Sequence, residues 1–273
     1  MAKHNVGRRL SEAAAADRHA LYQTAVQDTE AELDFVEEVY TELNGRKPRL
    51  IREDFCGTGN TACDWIRRNK DNQAIGIDND PEVLTWGIEN NWRSLSAEQR
   101  ARVQLVQGDV QFPGSYGFDA VLAMNFSYYL FRERDRLRAY FRQVRQSLKA
   151  DGVFFLDCYG GYEAHQELEE SRDCDGFTYI WDQHRFNPID HGMECLIHFA
   201  FADGSRMDRA FEYEWRLWTL PELQEVLAEA GFRRVQVYWE GTDPETEEGN
   251  GIYEPTRQGD ADAGWIAYLV AQP

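Results

Sequence analysis

The chain contains no apolar run near the roughly 20 residues that a membrane-spanning helix requires. Its opening stretch, MAKHNVGRRLSEAAAADRHA, has no apolar centre, so no export signal is expected. Cysteine is sparse: Cys56, Cys63, Cys158, Cys174 and Cys195 form no CxxC pair. That spacing argues against a disulfide framework or a zinc knuckle, and the expectation is a reduced, cytoplasmic protein. Positive charge is also short, with 29 Lys+Arg against 48 Asp+Glu and a net charge of −19. A field of that sign repels phosphate backbones and anionic lipid, which disfavours nucleic-acid and membrane partners. It is compatible with a high-salt solubility device or with cationic substrates, and both readings stay open. No repeat of fixed period occurs, and the longest low-complexity tract is Ala13 to Ala16.

Aromatic residues make up 13% of the chain, which fits a packed fold. From residue 50 onward, short apolar segments alternate with helical ones. LIREDF, AIGID, VQLVQGD, FDAVLAM and GVFFLDCY read as strands, and residues 61–69, 82–91 and 134–148 between them read as helices. This alternation predicts a parallel sheet covered on both faces. The rhythm then changes. FTYIWDQHRF, MECLIHFAFA and MDRAFEYEWRLW follow one another with Asn187-Pro188 and Asp203-Gly204 as turns, predicting an antiparallel meander. Thr219, Pro221 and Glu222 announce a capped helix that stops at Gly231, and two further strands follow. The acidic segment 240–262 is read as a loop, a candidate lid over an acceptor or a disordered stretch.

The segment Arg52-Glu53-Asp54-Phe55-Cys56-Gly57-Thr58-Gly59 ends a strand and opens a helix. Its glycines permit a tight turn and close approach of a ligand to the backbone. Asp78 ends the second strand, where a carboxylate can accept from ribose hydroxyls, and Asp109 ends the third. Arg52 lies in a strand covered on both faces, so it needs a counter-charge. Asp54, two residues on, shares its side.

With these motifs, the chain resembles the class I S-adenosylmethionine-dependent methyltransferases. The glycine turn, Asp78 in AIGIDND, Gly108-Asp109-Val110 and FDAVLAMNFSYY stand where that family's motifs stand. The family's first motif glycine is Phe55 here, as in variants of the glycine N-methyltransferase-like small-molecule group. The resemblance implies a three-layer α/β/α Rossmann-like sheet of seven strands with the last antiparallel, and an antiparallel β insertion after strand 5. It divides the chain into a helical segment 1–49, a core of 50–160 and 219–273, and an inserted cap 161–218. An NAD-binding fold is the lesser alternative: G-x-G-x-x-G is incomplete because position 62 is Ala62, and the strand order after Asp109 argues against it.

The resemblance implies S-adenosylmethionine as cofactor and S-adenosylhomocysteine as product. Glu53, Cys56, Gly57, Thr58 and Gly59 would meet its methionine part. Asp78 and Asn79 would meet the ribose, and Asp109 and Val110 the adenine, with Asn125 and Phe126 from the fourth-strand loop beside them. Tyr22 and Gln27 would close over the site from the N-terminal segment, or serve packing. On the acceptor side, Tyr128 and His184 are the candidate proton-handling residues. Ser127, Tyr129, Trp181, Arg216 and Trp218 are the candidate acceptor contacts, with core packing as the ordinary alternative for each ring. Aromatic faces suit a cationic amine, and an arginine suits a carboxylate. His165, His191 and His198 show no metal spacing, so no metal is expected. The acceptor is expected to be a small molecule methylated on N or O, and the Asn/Asp-Pro-Pro-Tyr/Phe motif of nucleic-acid and glutamine N-methyltransferases is absent. A protein or RNA substrate, and a non-catalytic cofactor-binding protein, stay open as alternatives. The basic segment Arg132 to Lys149 is read as a solvated face, or one opposing acidic regions of a partner copy in a homodimer.

Overall fold

The computed structural model of the protein describes residues 10–273 except 113, 115, 247 and 248. The helices are α1 (Glu12–Ala15), α2 (Arg18–Val26), α3 (Thr29–Asn44), α4 (Asn60–Arg68), α5 (Pro81–Asn90), α6 (Ala97–Arg100), α7 (Arg134–Ser147) and α8 (Leu220–Ala230). The strands are β1 (Leu50–Asp54), β2 (Gln73–Asp78), β3 (Val103–Gln107), β4 (Phe118–Ala123), β5 (Leu148–Gly160), β6 (Leu168–Cys174), β7 (Phe177–Phe186), β8 (Gly192–Phe201), β9 (Arg206–Arg216), β10 (Arg234–Thr242), β11 (Gly249–Thr256) and β12 (Trp265–Gln272).

The main sheet runs β11-β10-β12-β5-β4-β1-β2-β3. Strands β1 to β5 pair in parallel, while β12 is antiparallel to both β5 and β10. One face packs against α3 and α4, through Leu33, Val36, Tyr40, Trp65 and Ile66 against Ile51, Leu122, Phe155 and Val270. The other packs against α7 and α8, through Leu137, Phe141, Leu223 and Val226 against Val121, Phe154 and Leu269. This is the three-layer α/β/α arrangement expected, with the reversed strand in place.

The sheet has an eighth strand. The acidic segment 240–262, read as a loop, contributes β11, which pairs antiparallel with β10. Within that acidic segment Tyr253 supplies an apolar anchor, its ring 4.7 Å from Tyr268 and 5.9 Å from Phe35. The inserted sheet likewise gains a strand: its order is β6-β7-β8-β9. The sequence LEESRDC of β6 has no apolar alternation, and it joins β7 through the two-residue turn Asp175-Gly176, where Gly176 takes φ 86°.

Local signals act as elementary chemistry requires. Asp28 caps α3 by accepting from Ala31 N–H, and Gly45 ends it at φ 67°. Thr219 and Glu222 form the reciprocal capping box of α8, with Gly231 at its end. The basic face of α7 finds its acidic partners within the same chain. Arg134 and Arg138 both bond Glu229 of α8, which holds that carboxyl at about 2.

The Arg52–Asp54 pair is formed and fully enclosed. Arg52 Nε and Nη2 donate to the two Asp54 oxygens at 2.7 and 2.9 Å, and Nη1 donates to Ser147 Oγ at 2.8 Å. Tyr140 Oη donates to Asp54 Oδ2 at 2.8 Å. The guanidinium lies 5.3 Å from the Phe118 ring. This network locks β1 to α7 directly beneath the glycine turn. Replacing Asp54 with Ala strands a buried guanidinium and is expected to lower the unfolding free energy by about 3–5 kcal/mol in urea titrations. A loss below about 1 kcal/mol would show that the pair does not hold this junction.

Candidate active site

The strand ends of the parallel sheet carry the site. After β1 the backbone turns through three left-handed residues, Phe55 (φ 58°), Gly57 (φ 52°) and Gly59 (φ 64°). Phe55 thus adopts the conformation for which a glycine is usual. Its ring is fixed among Phe131 and Tyr140, at 6.0 and 5.7 Å. Gly59 is needed for space as well as for φ, since a Cβ there would meet Leu105 Cδ2 at 2.5 Å.

Carboxylates organise this turn. Asp78 accepts from Gly57 N–H at 2.8 Å and from Asp80 N–H at 2.9 Å, joining the ends of β1 and β2. Glu53 accepts from Ala62 N–H at 2.9 Å in the first turn of α4. Burial pushes the Glu53 carboxyl up to about 8 despite that donor. Cys56 is buried beside it, and burial raises its thiol well above the ordinary range. Thr58 Oγ1 accepts from Gln23 Nε2 of α2 at 2.7 Å. Asn79 is exposed next to Asp78. Gly108 N–H donates to the Asp78 carbonyl at 2.9 Å, which brings the Asp109 loop alongside. Asp109 is exposed and caps Gln111 N–H, while Val110 is buried against the Ile77 cluster. The structure therefore gathers Glu53, Cys56, Gly57, Thr58, Gly59, Asp78, Asn79, Asp109 and Val110 along one edge.

A second carboxylate clamp, missed in the sequence, sits between β4 and β5. Asn125 and Phe126 both have left-handed backbone, φ 57° and 55°. Their N–H groups donate to the two oxygens of Asp157 at 2.7 and 2.9 Å. Asp157 is 6% exposed, and burial lifts its carboxyl to about 7 against the pull of those donors. The available signal was an acid closing the apolar run VFFLD, the same grammar that made Asp78 legible.

The inserted sheet lies over this edge. Trp181, Tyr213 and Trp215 share one face, with ring centroids 4.5 to 6.5 Å apart. Phe126 reaches Trp215 at 6.5 Å and Tyr159 at 4.8 Å. From α2, Tyr22 packs on Phe211 at 4.9 Å and hydrogen-bonds Tyr213, and burial carries its phenol up to about 12. Tyr22, Phe126 and Trp181 are thus assembled over the same strand-end edge. Ser127 is part-buried and donates to the Met124 carbonyl at 3.0 Å.

Other expectations are corrected. Tyr128 is fully buried and its hydroxyl donates to the Asp157 carbonyl at 2.5 Å, so it supports the clamp instead of handling a substrate proton. Tyr129 is equally enclosed, with its hydroxyl against Cys158 Sγ at 3.2 Å. His184 lies on the opposite face from Trp181, exposed and 3.3 Å from Asp182. Arg216 is spent on Glu222 at 2.8 Å and stacks 3.8 Å from the Trp218 ring. Trp218 is fully buried and donates to the Phe131 carbonyl at 3.2 Å. Arg216 ties β9 to α8, and Trp218 ties the segment between them to the turn before α7. Among the described residues, Glu169, Asp182 and His198 are spaced as a metal trio could be. His198 Nδ1 accepts from Arg209 N–H at 3.0 Å, so the neutral ring carries its proton on Nε2, toward Asp182, with no lone pair to offer there.

The raised carboxyls have a measurable consequence. For Glu53 and Asp157 the folded chain binds protons that the unfolded chain has already lost, so their contribution to stability falls as pH rises. The window runs from the ordinary carboxylate range to about 8 for Glu53 and about 7 for Asp157. The ligand-free melting temperature is expected to decline across that window, and Asp157→Asn or Glu53→Gln to flatten the decline. A melting temperature that rises steadily through pH 4–8 in both proteins would contradict it.

Residues 56–154 match the family model described as a methyltransferase domain. A protein of Geobacillus sp. (strain WCH70) named as a methyltransferase is 21% identical over 216 residues, covering 77% of this chain and 84% of its own. Among solved structures, an S-adenosylmethionine-dependent methyltransferase from Clostridium acetobutylicum ATCC 824 aligns with TM-score 0.67 at 20% identity, covering 93% of this chain and 96% of that one. The sugar N-methyltransferase KedS8 from Streptoalloteichus sp. ATCC 53650 aligns with TM-score 0.63 at 19% identity, covering 100% and 97%. Residues 56–154 thus carry a methyltransferase domain, and the chain has the fold of the S-adenosylmethionine-dependent methyltransferases.

Proposed function

We propose that the protein transfers a methyl group from S-adenosylmethionine to a nitrogen of a small-molecule amine. The observation that carries this reading is the pairing of buried carboxylates, Glu53 and Asp157, with an aromatic wall across the same edge. A cofactor with a sulfonium and an ammonium fits there: acid groups held largely unionised by burial gain a counter-charge when it binds. The similarity to a sugar N-methyltransferase supports nitrogen as the acceptor atom.

In this reading the glycine turn and Glu53 hold the methionine part, Asp78 the ribose, and the Asp109–Val110 loop the adenine. When bound, the cofactor supplies an electrophilic methyl carbon, whose bond to sulfur breaks as the acceptor nitrogen's lone pair attacks, leaving S-adenosylhomocysteine. Asp157 serves the acceptor side. Its two backbone donors fix the carboxylate, and each oxygen keeps a lone pair that can take an ammonium proton. A carboxyl near 7 is matched to accepting a proton at neutral pH. Phe126 and Trp215 keep water from that position.

Purified protein incubated with methyl-labelled S-adenosylmethionine and cell extract should place label in the small-molecule fraction, on an amine. Asp78→Ala should abolish that transfer by removing the clamp on Gly57. Label confined to macromolecules would replace this reading with a protein or RNA substrate. Transfer at the wild-type rate by Asp78→Ala would remove the cofactor-site assignment.

A further inference from the structure

Two buried acceptor atoms at the junction of α2 and α3, Gln27 Oε1 and Glu32 Oε2, each exposing less than 1 Å², have no hydrogen-bond partner among the described residues. Native chains rarely leave such atoms unsatisfied, and a donor brought by a ligand would recover the cost. Glu32 stands one turn beyond the capping Asp28, at the end of α3 that faces the strand termini. Burial, then the charges of Asp157, Glu53 and Asp28, raises its carboxyl well above the ordinary range, and no cation is among the groups acting on it. Tyr268 of β12 pairs with Asp157 in the ladder to β5, and its ring stacks at 4.4 Å on Phe35, which lies one turn along α3 from Glu32, so both carboxyls stand on the α3 side of the same sheet edge. Gln27 also lines a cleft of about 600 Å³ between that junction and Arg172, Cys174 and Asp175.

We propose that Glu32 is the specificity-determining residue of the acceptor subsite: with Asp157 it receives the ammonium of a cationic amine that binds beneath Tyr22, Tyr213 and Trp215. The assignment rests on the methyl-transfer reading above. A neutral hydroxyl would satisfy one lone pair and bring no counter-charge that would let the carboxyls ionise. An ammonium supplies donors and discharges the cluster, and the aromatic faces favour it further.

The test needs no identified acceptor. Sinefungin carries an amine-bearing carbon where S-adenosylmethionine has its sulfonium methyl, so it presents a cation toward the acceptor side, whereas S-adenosylhomocysteine presents none. Calorimetry on the full chain should show sinefungin bound about tenfold or more tightly than S-adenosylhomocysteine. Glu32→Gln should keep its S-adenosylhomocysteine affinity within about threefold and lose most of that preference. Should the variant fail to fold, the wild type still decides. Titrations at pH 7 in buffers of different ionisation enthalpy should show about one more proton released with sinefungin, as the Glu32 carboxyl ionises to meet the amine. Equal proton release, an unchanged preference in Glu32→Gln, or equal weakening of both ligands overturns the assignment; the last would mean that Glu32 holds the amino-acid ammonium common to both. A wild type that binds neither ligand overturns the methyltransferase reading itself.

Discussion

The site is built on carboxylates that accept from backbone N–H groups at strand ends, and Asp157 is the clearest case. Asn125 and Phe126 take a left-handed conformation that costs side-chain-bearing residues free energy. Two N–H groups converging on one carboxylate repay that cost and point the chain back under the inserted sheet. Tyr128 and Tyr129 then descend into the core, and Phe126 rises to meet Trp215 and Tyr159. Asp78 does the same work at the glycine turn. Both clamps thus use an acid at a strand end to fix the backbone of the turn that follows.

The N-terminal helix α2 connects the three parts of the site. Its Gln23 bonds Thr58 in the glycine turn, its capping Asp17 accepts from Trp86 Nε1 of α5 at 2.6 Å, and its Tyr22 meets Phe211 and Tyr213 of the inserted sheet. Asp28 then starts α3 at the point where Glu32 enters the acidic space. The core, the cap and the entry segment therefore converge on one volume, although none of them alone contains a complete binding surface.

Most of the fold was readable because parallel strands announce themselves as short apolar runs ending in Asp or Gly. Arg52 and Asp54 were readable as a pair from period two alone, and α8 from its capping residues. What escaped was decided by tertiary contact. Strand β6 is polar along its length and exists because β7 offers it a ladder. Strand β11 is held by its ladder with β10 and by the ring of Tyr253 against Tyr268 and Phe35. In the site, Asp78 and the glycines were legible from spacing. Tyr128, Arg216 and Trp218 looked exposed to a ligand because residue type cannot tell a buried hydroxyl or indole from one lining a pocket. Glu32 was invisible because a glutamate in a first helical turn has an ordinary explanation, a favourable place in the helix dipole.

The added strand β11 changes what the molecule shows to its neighbours. A sheet ending at β10 would present a row of free N–H and C=O groups, a template on which another chain could assemble. Strand β11 covers that row and is itself a poor template. Pro255 brings no N–H, Gly249 and Gly251 weaken extended pairing, and Glu254 adds charge. The outer strand β6 of the inserted sheet is guarded in another way, by exposed Glu169, Glu170, Arg172 and Asp173. Part of the chain's acidity thus lies along its open borders, where it discourages edge-to-edge aggregation while leaving the enclosed carboxyls free for the site.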